Sequence, residues 1–552
     1  MDRLLKKVNK NSLFFLLILL LALGLRLYRL DLLELFGDEL DVGYHAYSLL
    51  TTGRGYMGQK LPLYIHSFSE WRAPLLMYFT APFVGLLGLN AWGVRMTPVL
   101  FGVLSIGLLY YLVKLISKDE KLSLISALLL TLTPWHLHYS RTAFEVTLLL
   151  SLVLLGTIGF LKKKWWLSSI AFGLSFYAYN TANVFVPLWL IVLTWTNKKK
   201  IKKIDKSMVF SGLLFIFLVL PLGLKIIQGY GSARFNLISI FSNPKTIDQI
   251  VFKRTTGLDP KIERVFHNKL TGWGREFIGN YFTAFSPDFL FLNGDLNPRH
   301  SLPGFGQLYW WLLGFWLMGI YRLAKAKDKG LKRLVFGWLL ISPLASCLTV
   351  GGGNQATRLF LMLPPLVILI SLGIRKFFSY FGIFIILGSL FISLIFYSHN
   401  YLVHYGQEHY RYWHYGYQEA MSWLFQNENN FERIIINNNY EPGLLRYLFW
   451  TKKDPAIFQS EFETDEISEG VLPSFSGFRL GEKVYFGSIG QEDKLAWLKN
   501  NLTASDVYLA IQQDEAPGDW DWYSDSPEGL KVWQKVDNPW GEPLMYWVSK
   551  EK

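Results

Sequence analysis

The sequence has few charged residues and almost no cysteine. Asp, Glu, Lys and Arg make up 18% of the 552 residues, whereas soluble domains usually carry about 25%. Hydrophobic residues make up 51%. This composition excludes disordered and fibrous proteins and argues against a large soluble enzyme. The single cysteine, Cys347, excludes an intramolecular disulfide and a cluster of thiolate metal ligands.

Long apolar runs account for the low charge and predict a polytopic α-helical membrane protein. The first run, Ser12 to Leu30, is long enough to cross a bilayer, and no small-residue cleavage site follows it. We expect it to be retained as the first of about eleven transmembrane helices. The others are expected near residues 93–116, 122–139, 143–161, 165–180, 182–197, 208–227, 305–323, 334–350, 358–374 and 377–397.

Basic clusters between these runs predict the orientation in the membrane. With a cytoplasmic N-terminus, the clusters fall in cytoplasmic loops, as the positive-inside bias requires. The net charge of +13 is therefore a topology signal, and no nucleic-acid partner is expected. We predict a multi-pass protein of the plasma membrane. The clusters are Lys118–Lys121, Lys162–Lys164, Lys198–Lys206, Arg322–Arg333 and Arg375–Lys376.

Polar segments on the outer side divide the chain into two predicted domains. Residues 1–397 form a transmembrane core whose outer loops are residues 31–90 and 228–304. Residues 398–552 contain short strand patterns alternating with helical patterns, for example Ile434–Asn437 and Asp506–Ile511. They predict a small extracytoplasmic α/β domain at the C-terminus.

An acidic pair stands where the first run meets the outer side. Asp38 and Glu39 open an amphipathic helical pattern that ends at Gly53. One interpretation is that Asp38 caps this helix and interacts with its positive end. The other is that Asp38 acts as a general base toward an incoming hydroxyl. The two are compatible, because a capping carboxylate is also a positioned one.

Arginines recur at the same predicted outer surface. Each can be an interfacial anchor, and the neighbours Glu70 and Arg72 can also form an ion pair. Together they could bind a phosphate at headgroup level, an anion that guanidinium groups bind in two-pronged fashion. The four arginines are Arg72, Arg141, Arg299 and Arg358.

Several motifs resemble glycosyltransferase family 39, which has the GT-C fold and includes protein O-mannosyltransferases and bacterial lipid A aminoarabinose transferases. The resemblance is clearest over residues 12–200. It rests on Phe36-Gly-Asp-Glu39 after the first run, Glu70-Trp-Arg-Ala-Pro-Leu75, Gly88-Leu-Asn-Ala-Trp-Gly-Val-Arg95 and Tyr139-Ser-Arg141.

The resemblance implies transfer of a sugar, with inversion, from a polyprenyl-phosphate donor to an extracytoplasmic hydroxyl of a lipid, glycan or protein. Asp38 would be the base, and Glu39 would support it or bind the acceptor. Glu70 and His300 would contact the acceptor or a divalent cation, Mg²⁺ or Mn²⁺. The donor phosphate would be bound by Arg72, Arg141, Arg299 and Arg358.

Two other functions fit part of the pattern. A transporter or flippase of lipid-linked sugars would explain many spans and intramembrane charge, but not readily the acidic first loop or the C-terminal α/β domain. The sequence also lacks the related halves common in transporters. A GT-C oligosaccharide ligase would share the donor chemistry and move a glycan block. The position of the acidic pair directly after the first run favours single-sugar transfer.

Overall fold

The computed structural model has a helical part followed by a mixed β-sheet flanked by helices. The first covers the predicted core, and the sheet lies within the predicted C-terminal domain. The structure describes residues 10–68, 71–199, 201, 205–229, 232–257, 259–377, 379–490, 493–515 and 521–552.

Every predicted span contains helix, although the spans near 122–139 and 334–350 are each divided between two helices and the helix near 305–323 begins at Leu312. The chain is thus a helical membrane protein, while the number of helices that cross the bilayer stays a prediction. The shorter apolar helices are Leu75–Leu87, Val146–Leu161 and Ala182–Asn197. Five described helices are long and apolar enough to cross a membrane, namely Lys10–Leu27, Ala91–Ser117, Lys206–Ile227, Ala356–Phe377 and Tyr380–Glu408.

The remaining helices of this part are shorter or more polar. Three of them, between residues 244 and 283, expose both apolar and basic side chains. The bounds are Gly37–Thr52, Glu120–Leu132, Pro134–Tyr139, Trp165–Ser175, Ser232–Ile238, Pro244–Thr256, Pro260–Phe266, Lys269–Thr283, Leu312–Lys325, Lys329–Ile341 and Leu344–Cys347.

Burial follows the distribution of apolar residues around each helix. Val146–Leu161 and Leu363–Ile374 are apolar on nearly every side and lie in the centre of the bundle. Lys10–Leu27 and Lys206–Ile227 expose rows of Leu and Phe at the periphery, where lipid would cover them.

The acidic pair lies at the start of the helix Gly37–Thr52, in the predicted first outer loop. Phe36 occupies the N-cap position without a side-chain cap, and Asp38 and Glu39 lie in the first turn. Asp38 is therefore not the N-cap, but its position in the first turn agrees with the predicted interaction with the positive end of the helix. The helix ends at Gly53, whose φ of 68° is a left-handed conformation that glycine adopts without strain. Beyond it, β1 (Ile65–His66) pairs antiparallel with β2 (Trp71–Arg72).

The C-terminal region forms a seven-stranded sheet. Its order is β4-β5-β6-β3-β7-β9-β8, with β6, β3 and β7 parallel in the centre and antiparallel strands outside them. The helices are Tyr417–Asn427, Gly443–Trp450, Pro455–Glu461, Lys494–Asn501 and Gln512–Glu515. The strands are β3 (Arg433–Asn437), β4 (Ser468–Leu472), β5 (Phe475–Leu480), β6 (Val484–Ile489), β7 (Asp506–Ile511), β8 (Leu530–Asp537) and β9 (Pro543–Lys550).

The sheet region packs directly on the helix that carries the acidic pair. Gly43 lets Phe449 approach so closely that a Cβ there would lie 2.5 Å from the Phe449 ring. The Tyr44 hydroxyl donates a hydrogen bond to the Lys453 carbonyl at 2.9 Å. One buried apolar cluster includes side chains from both parts. The two parts therefore share a core beside Asp38.

Candidate active site

A cavity of about 640 Å³ lies between the helix Gly37–Thr52, the β1–β2 hairpin and the sheet region. Ionisable side chains from both parts of the chain line it. Those from the helical part are Asp38, Asp41, Arg72 and Arg299, and those from beyond residue 410 are His414, Glu441, Arg446 and Asp465.

Asp38 and Arg72 form an ion pair at this cavity. The Arg72 Nη2 group donates to Asp38 Oδ1 at 2.5 Å, and its Nη1 lies 3.6 Å from Asp41 Oδ2. The Asp38 side chain is 49% exposed, whereas Arg72 is 9% exposed. The short strand β2 therefore holds a nearly buried guanidinium against a carboxylate that remains accessible.

Asp41 lies one helical turn after Asp38 and is the buried member of this group. Its two carboxylate oxygens accept hydrogen bonds from the Tyr56 hydroxyl at 2.6 Å and the Ser67 hydroxyl at 2.8 Å. Burial raises the pKa of Asp41, while Arg72 and the two hydroxyls act in the opposite direction. The Tyr56 and Ser67 hydroxyls hold the Asp41 carboxylate in place, and its contact with Arg72 in turn positions that guanidinium.

Glu39 points away from the cavity, into the protein. Its oxygens accept hydrogen bonds from Arg95 Nε at 2.8 Å and Nη2 at 2.6 Å, and both side chains are almost completely buried. The Ala143 amide donates a further bond to Glu39 at 2.8 Å. Arg95 also binds the Leu30 and Leu33 carbonyls. Glu39 thereby ties the acidic-pair helix to the end of the first span.

A second cluster joins the sheet region to the start of that helix. The Gly37 amide donates to His414 Nδ1 at 3.1 Å. His414 Nε2 lies 3.0 Å from Glu441 and 3.3 Å from Arg299. Arg446 contacts His414 Nδ1 at 2.5 Å and Glu441 at 3.2 Å. Gly37 immediately precedes Asp38, so this cluster determines where the sheet region lies relative to the ion pair.

Burial lowers the pKa of His414 to about 4. The hydrogen bond to Glu441 acts against this change, whereas Arg446 and Arg299 strengthen it. The imidazole is therefore neutral near pH 7. It can then accept the Gly37 hydrogen bond at Nδ1 and donate from Nε2 to Glu441.

His300 is next to Arg299 in the chain but does not line the cavity. Its Nδ1 is 3.1 Å from the Tyr139 hydroxyl and 3.3 Å from Thr357 Oγ1. Burial is the main reason that the pKa of His300 is lowered to about 3. Its neighbour Arg299 does line the cavity, and the Arg299 guanidinium also stacks over the Phe36 ring at 4.7 Å.

The other two predicted arginines lie elsewhere. Arg141 donates to the Leu25 carbonyl at 2.7 Å and to the Arg29 carbonyl at 2.9 Å, at the end of the first helix. Arg358 donates to Thr349 Oγ1 at 2.7 Å and lines a separate cavity of about 280 Å³. Of the four arginines, the described structure thus brings Arg72 and Arg299 to the cavity of Asp38.

Comparison with known proteins places this geometry in context. Residues 71–223 match the family model described as dolichyl-phosphate-mannose-protein mannosyltransferase. ArnT from Cupriavidus metallidurans bound to undecaprenyl phosphate is a similar solved structure, with a TM-score of 0.52 and 10% identity over 97% of each chain. Its apo structure has a TM-score of 0.43 and 12% identity over 98% of each chain. No curated protein matches the sequence.

The resemblance to glycosyltransferase family 39 is confirmed. The family match includes Arg72, Arg95 and Arg141, and the likeness in fold extends over both parts of the chain. At 10% identity this likeness shows the fold, which is that of the GT-C enzymes.

The divalent cation implied by the family 39 resemblance stays a prediction. Glu70 lies outside the described residues. Within the described part of the chain, no group of three or more His, Cys, Asp or Glu side chains could hold a metal ion. Asp38 and Asp41 both contact Arg72.

Five ionisable residues of the cavity were not predicted from the sequence. Asp41 could have been found, because it lies three residues after Asp38 and so on the same face of the helix. The other four carry no local signal, because they reach the cavity only through packing of the sheet region; they are His414, Glu441, Arg446 and Asp465.

Proposed function

We propose that the chain is an integral membrane glycosyltransferase. It transfers a sugar from a polyprenyl-phosphate donor to an acceptor hydroxyl on the extracytoplasmic side, with inversion. The observation that carries this proposal is the accessible Asp38 carboxylate held against Arg72 in a cavity next to the membrane part. ArnT, which shares the fold, binds undecaprenyl phosphate, and this supports a polyprenyl carrier.

An in-line displacement places a base and a phosphate-binding cation on opposite faces of the sugar, so the direct Asp38–Arg72 contact must open for the donor to lie between them. Asp38 accepts the proton of the acceptor hydroxyl while the oxygen of that hydroxyl forms a bond to C1 of the sugar. The bond between C1 and the phosphate oxygen breaks on the opposite face, and the electron pair leaves with the polyprenyl phosphate. That phosphate gains negative charge, which a guanidinium stabilises most strongly in the transition state. The products are the glycosylated acceptor with inverted configuration and the polyprenyl phosphate.

We assign the leaving phosphate to Arg72 and Arg299. Both guanidiniums line the cavity of Asp38; Arg299 Nε donates to the Tyr412 carbonyl at 3.1 Å, and its Nη2 lies 3.3 Å from His414 Nε2. Arg358 lies at the separate cavity among Asn180, Asn183 and apolar residues, which suits a contact with the carrier lipid. Arg141 is assigned to holding the end of the first helix, since its guanidinium binds backbone carbonyls there.

Glu39 is a positioning residue in this proposal. It makes no contact with the cavity, but its pairing with Arg95 fixes the first turn of the helix that carries Asp38. His300 supports the loop of Arg299 through Tyr139 and Thr357. Glu70 keeps its predicted role toward the acceptor or a divalent cation.

The test uses purified protein in nanodiscs with a panel of radiolabelled polyprenyl-phosphate sugars. Membrane extract serves as the acceptor, and release of polyprenyl phosphate is measured. A general base contributes about 10²–10⁴-fold in rate, so Asp38→Asn should lose that factor. Asp31→Asn is the matched control, because Asp31 is an exposed carboxylate of the same loop outside the cavity.

Two results would contradict the proposal. Wild-type turnover by Asp38→Asn would remove Asp38 from the mechanism. Absence of release from every donor would favour the transporter alternative, and sugar flux in proteoliposomes would then be measured.

A further inference from the structure

The sheet presents the carboxyl ends of two parallel strands to the active-site cavity. β3 and β6 run parallel, and Asn437 at the end of β3 pairs with Gly487. Asn438 follows β3 directly, Ser488 lies near the end of β6, and both line the cavity. In open α/β sheets, ligands bind outside the carboxyl ends of the strands. The edge that receives ligands in such sheets therefore faces Asp38.

Hydrogen bonds within the sheet region hold these two side chains in place. Asn438 Oδ1 accepts from the Gly443 amide at 2.8 Å, so its NH₂ group supplies the donors of this side chain. The Ser488 hydroxyl donates to Asn439 Oδ1 at 2.6 Å, which leaves its oxygen as an acceptor. The edge thus offers one positioned neutral donor and one positioned neutral acceptor.

The rest of this wall combines carboxylates with aromatic surface. Asp465 and Glu441 line it as acceptors, and Phe478, which stacks on Phe486 at 5.3 Å, supplies a ring. Neutral donors, neutral acceptors, carboxylates and an aromatic face together suit a molecule with many hydroxyl groups, because each hydroxyl can both donate and accept. A sugar has this chemistry, because each of its hydroxyl groups can donate to the carboxylates and its C–H face can pack on the aromatic ring.

The wall is also fixed relative to the reacting group. The Gly37–His414 hydrogen bond joins the sheet region to the residue before Asp38. Glu34, which precedes the same helix, accepts hydrogen bonds from the Gly416 and Gln418 amides at 2.9 and 3.3 Å. A ligand held at this edge is therefore held at a set position from the Asp38 carboxylate.

We propose that the carboxyl edge of β3 and β6 binds the acceptor and that the acceptor is a carbohydrate, with Asn438 and Ser488 as specificity-determining residues. This inference rests on the proposed function, because it assigns the second substrate of the same cavity. The edge holds the sugar so that one hydroxyl faces Asp38.

The test compares variants of the two edge residues with a control variant of a serine elsewhere in the sheet region. Ser488→Ala and Asn438→Asp each remove one acceptor-facing group, and Asp keeps the oxygen that accepts from Gly443. Ser505→Ala is the control, because Ser505 is also partly buried and its hydroxyl bonds to side chains, Glu432 at 3.0 Å and Thr503 at 3.1 Å, but it lies just before the amino end of β7. The probes are a panel of octyl glycosides and a Ser/Thr-containing peptide, each with the donor found active.

Three quantities are measured: release of polyprenyl phosphate without acceptor, donor KM and acceptor KM. Loss of one neutral hydrogen bond corresponds to about three- to tenfold in affinity. We expect both variants to raise the glycoside KM by at least that factor, and Ser488→Ala, which adds no charge, to leave donor KM and acceptor-free release unchanged. Ser505→Ala should match the wild type in all three.

The outcomes separate this inference from the proposed function. Equal glycoside KM in all variants would overturn the role of the edge. Transfer to the peptide alone, or to neither probe class while acceptor-free release persists, would overturn the carbohydrate acceptor. Absence of release from any donor would instead contradict the glycosyltransferase proposal itself.

Discussion

The neighbours Asp38 and Glu39 should respond in opposite ways to the same change from carboxylate to amide. Glu39 and Arg95 are buried, with 0% and 1% of their side chains exposed. Removing one partner of a buried ion pair costs about 3–5 kcal/mol of folding free energy, because the other charge stays buried without compensation. Glu39→Gln should therefore lower the free energy of unfolding by that amount.

Asp38→Asn should have little effect on stability. Its side chain is 49% exposed, and ion pairs with a solvent-exposed member are worth about 0–1 kcal/mol. Arg72 also keeps Asp41 as a partner. The loss of a general base, by contrast, should reduce turnover by about 10²–10⁴-fold.

The assay follows unfolding and turnover in the same samples. Unfolding is measured by titration with SDS in mixed micelles, and release of polyprenyl phosphate is normalised to folded protein. Glu39→Gln should retain turnover within about tenfold per folded molecule, because Glu39 acts only through the placement of Asp38, and folded molecules keep that placement. Arg95→Lys is a second probe of the pair, since lysine cannot reproduce the two-pronged contact, and it should be destabilised as well.

The reasoning would be refuted by the reverse pattern. If Asp38→Asn unfolds as readily as Glu39→Gln, then Asp38 is a structural residue. If Glu39→Gln keeps wild-type stability but loses turnover as Asp38→Asn does, then Glu39 takes part in the reaction.

Three further outcomes are expected. Arg72→Lys should raise donor KM about tenfold, because lysine keeps the charge but loses the two-pronged contact; unchanged donor kinetics would assign Arg72 to anchoring. Arg141→Lys should lower stability and leave donor KM unchanged, because Arg141 binds backbone carbonyls; a raised donor KM would return it to the donor site. Acidification should destabilise the protein through His414, whose folded pKa of about 4 lies below the unfolded value of about 6.5. The unfolded chain binds the proton first, so stability falls between about pH 6.5 and pH 4, by about 2 kcal/mol at pH 5; thermal unfolding of His414→Gln should lack this contribution, and an unchanged pH dependence would contradict it.

Local patterns predicted much of the secondary structure. Every predicted span contains helix, because a segment buried in lipid or in a bundle must be helical and apolar, and a long apolar run is visible in the sequence. β3 and β7 were predicted from dense runs of apolar and β-branched residues. The hairpin of β4 and β5 was not predicted, because Gly470 and Gly477 interrupt its pattern.

The sequence by itself determined that this is a helical membrane protein with an acidic pair at the outer end of its first span. Those properties depend on composition and on neighbours along the chain. The tertiary structure decided which member of the pair is accessible, because Arg95 binds Glu39 from 56 residues away. It also decided which arginines reach the cavity and that the sheet forms one wall, through contacts such as Gly37–His414 that join residues 377 positions apart. Pairings at that separation arise from packing of whole elements, and no local pattern encodes them.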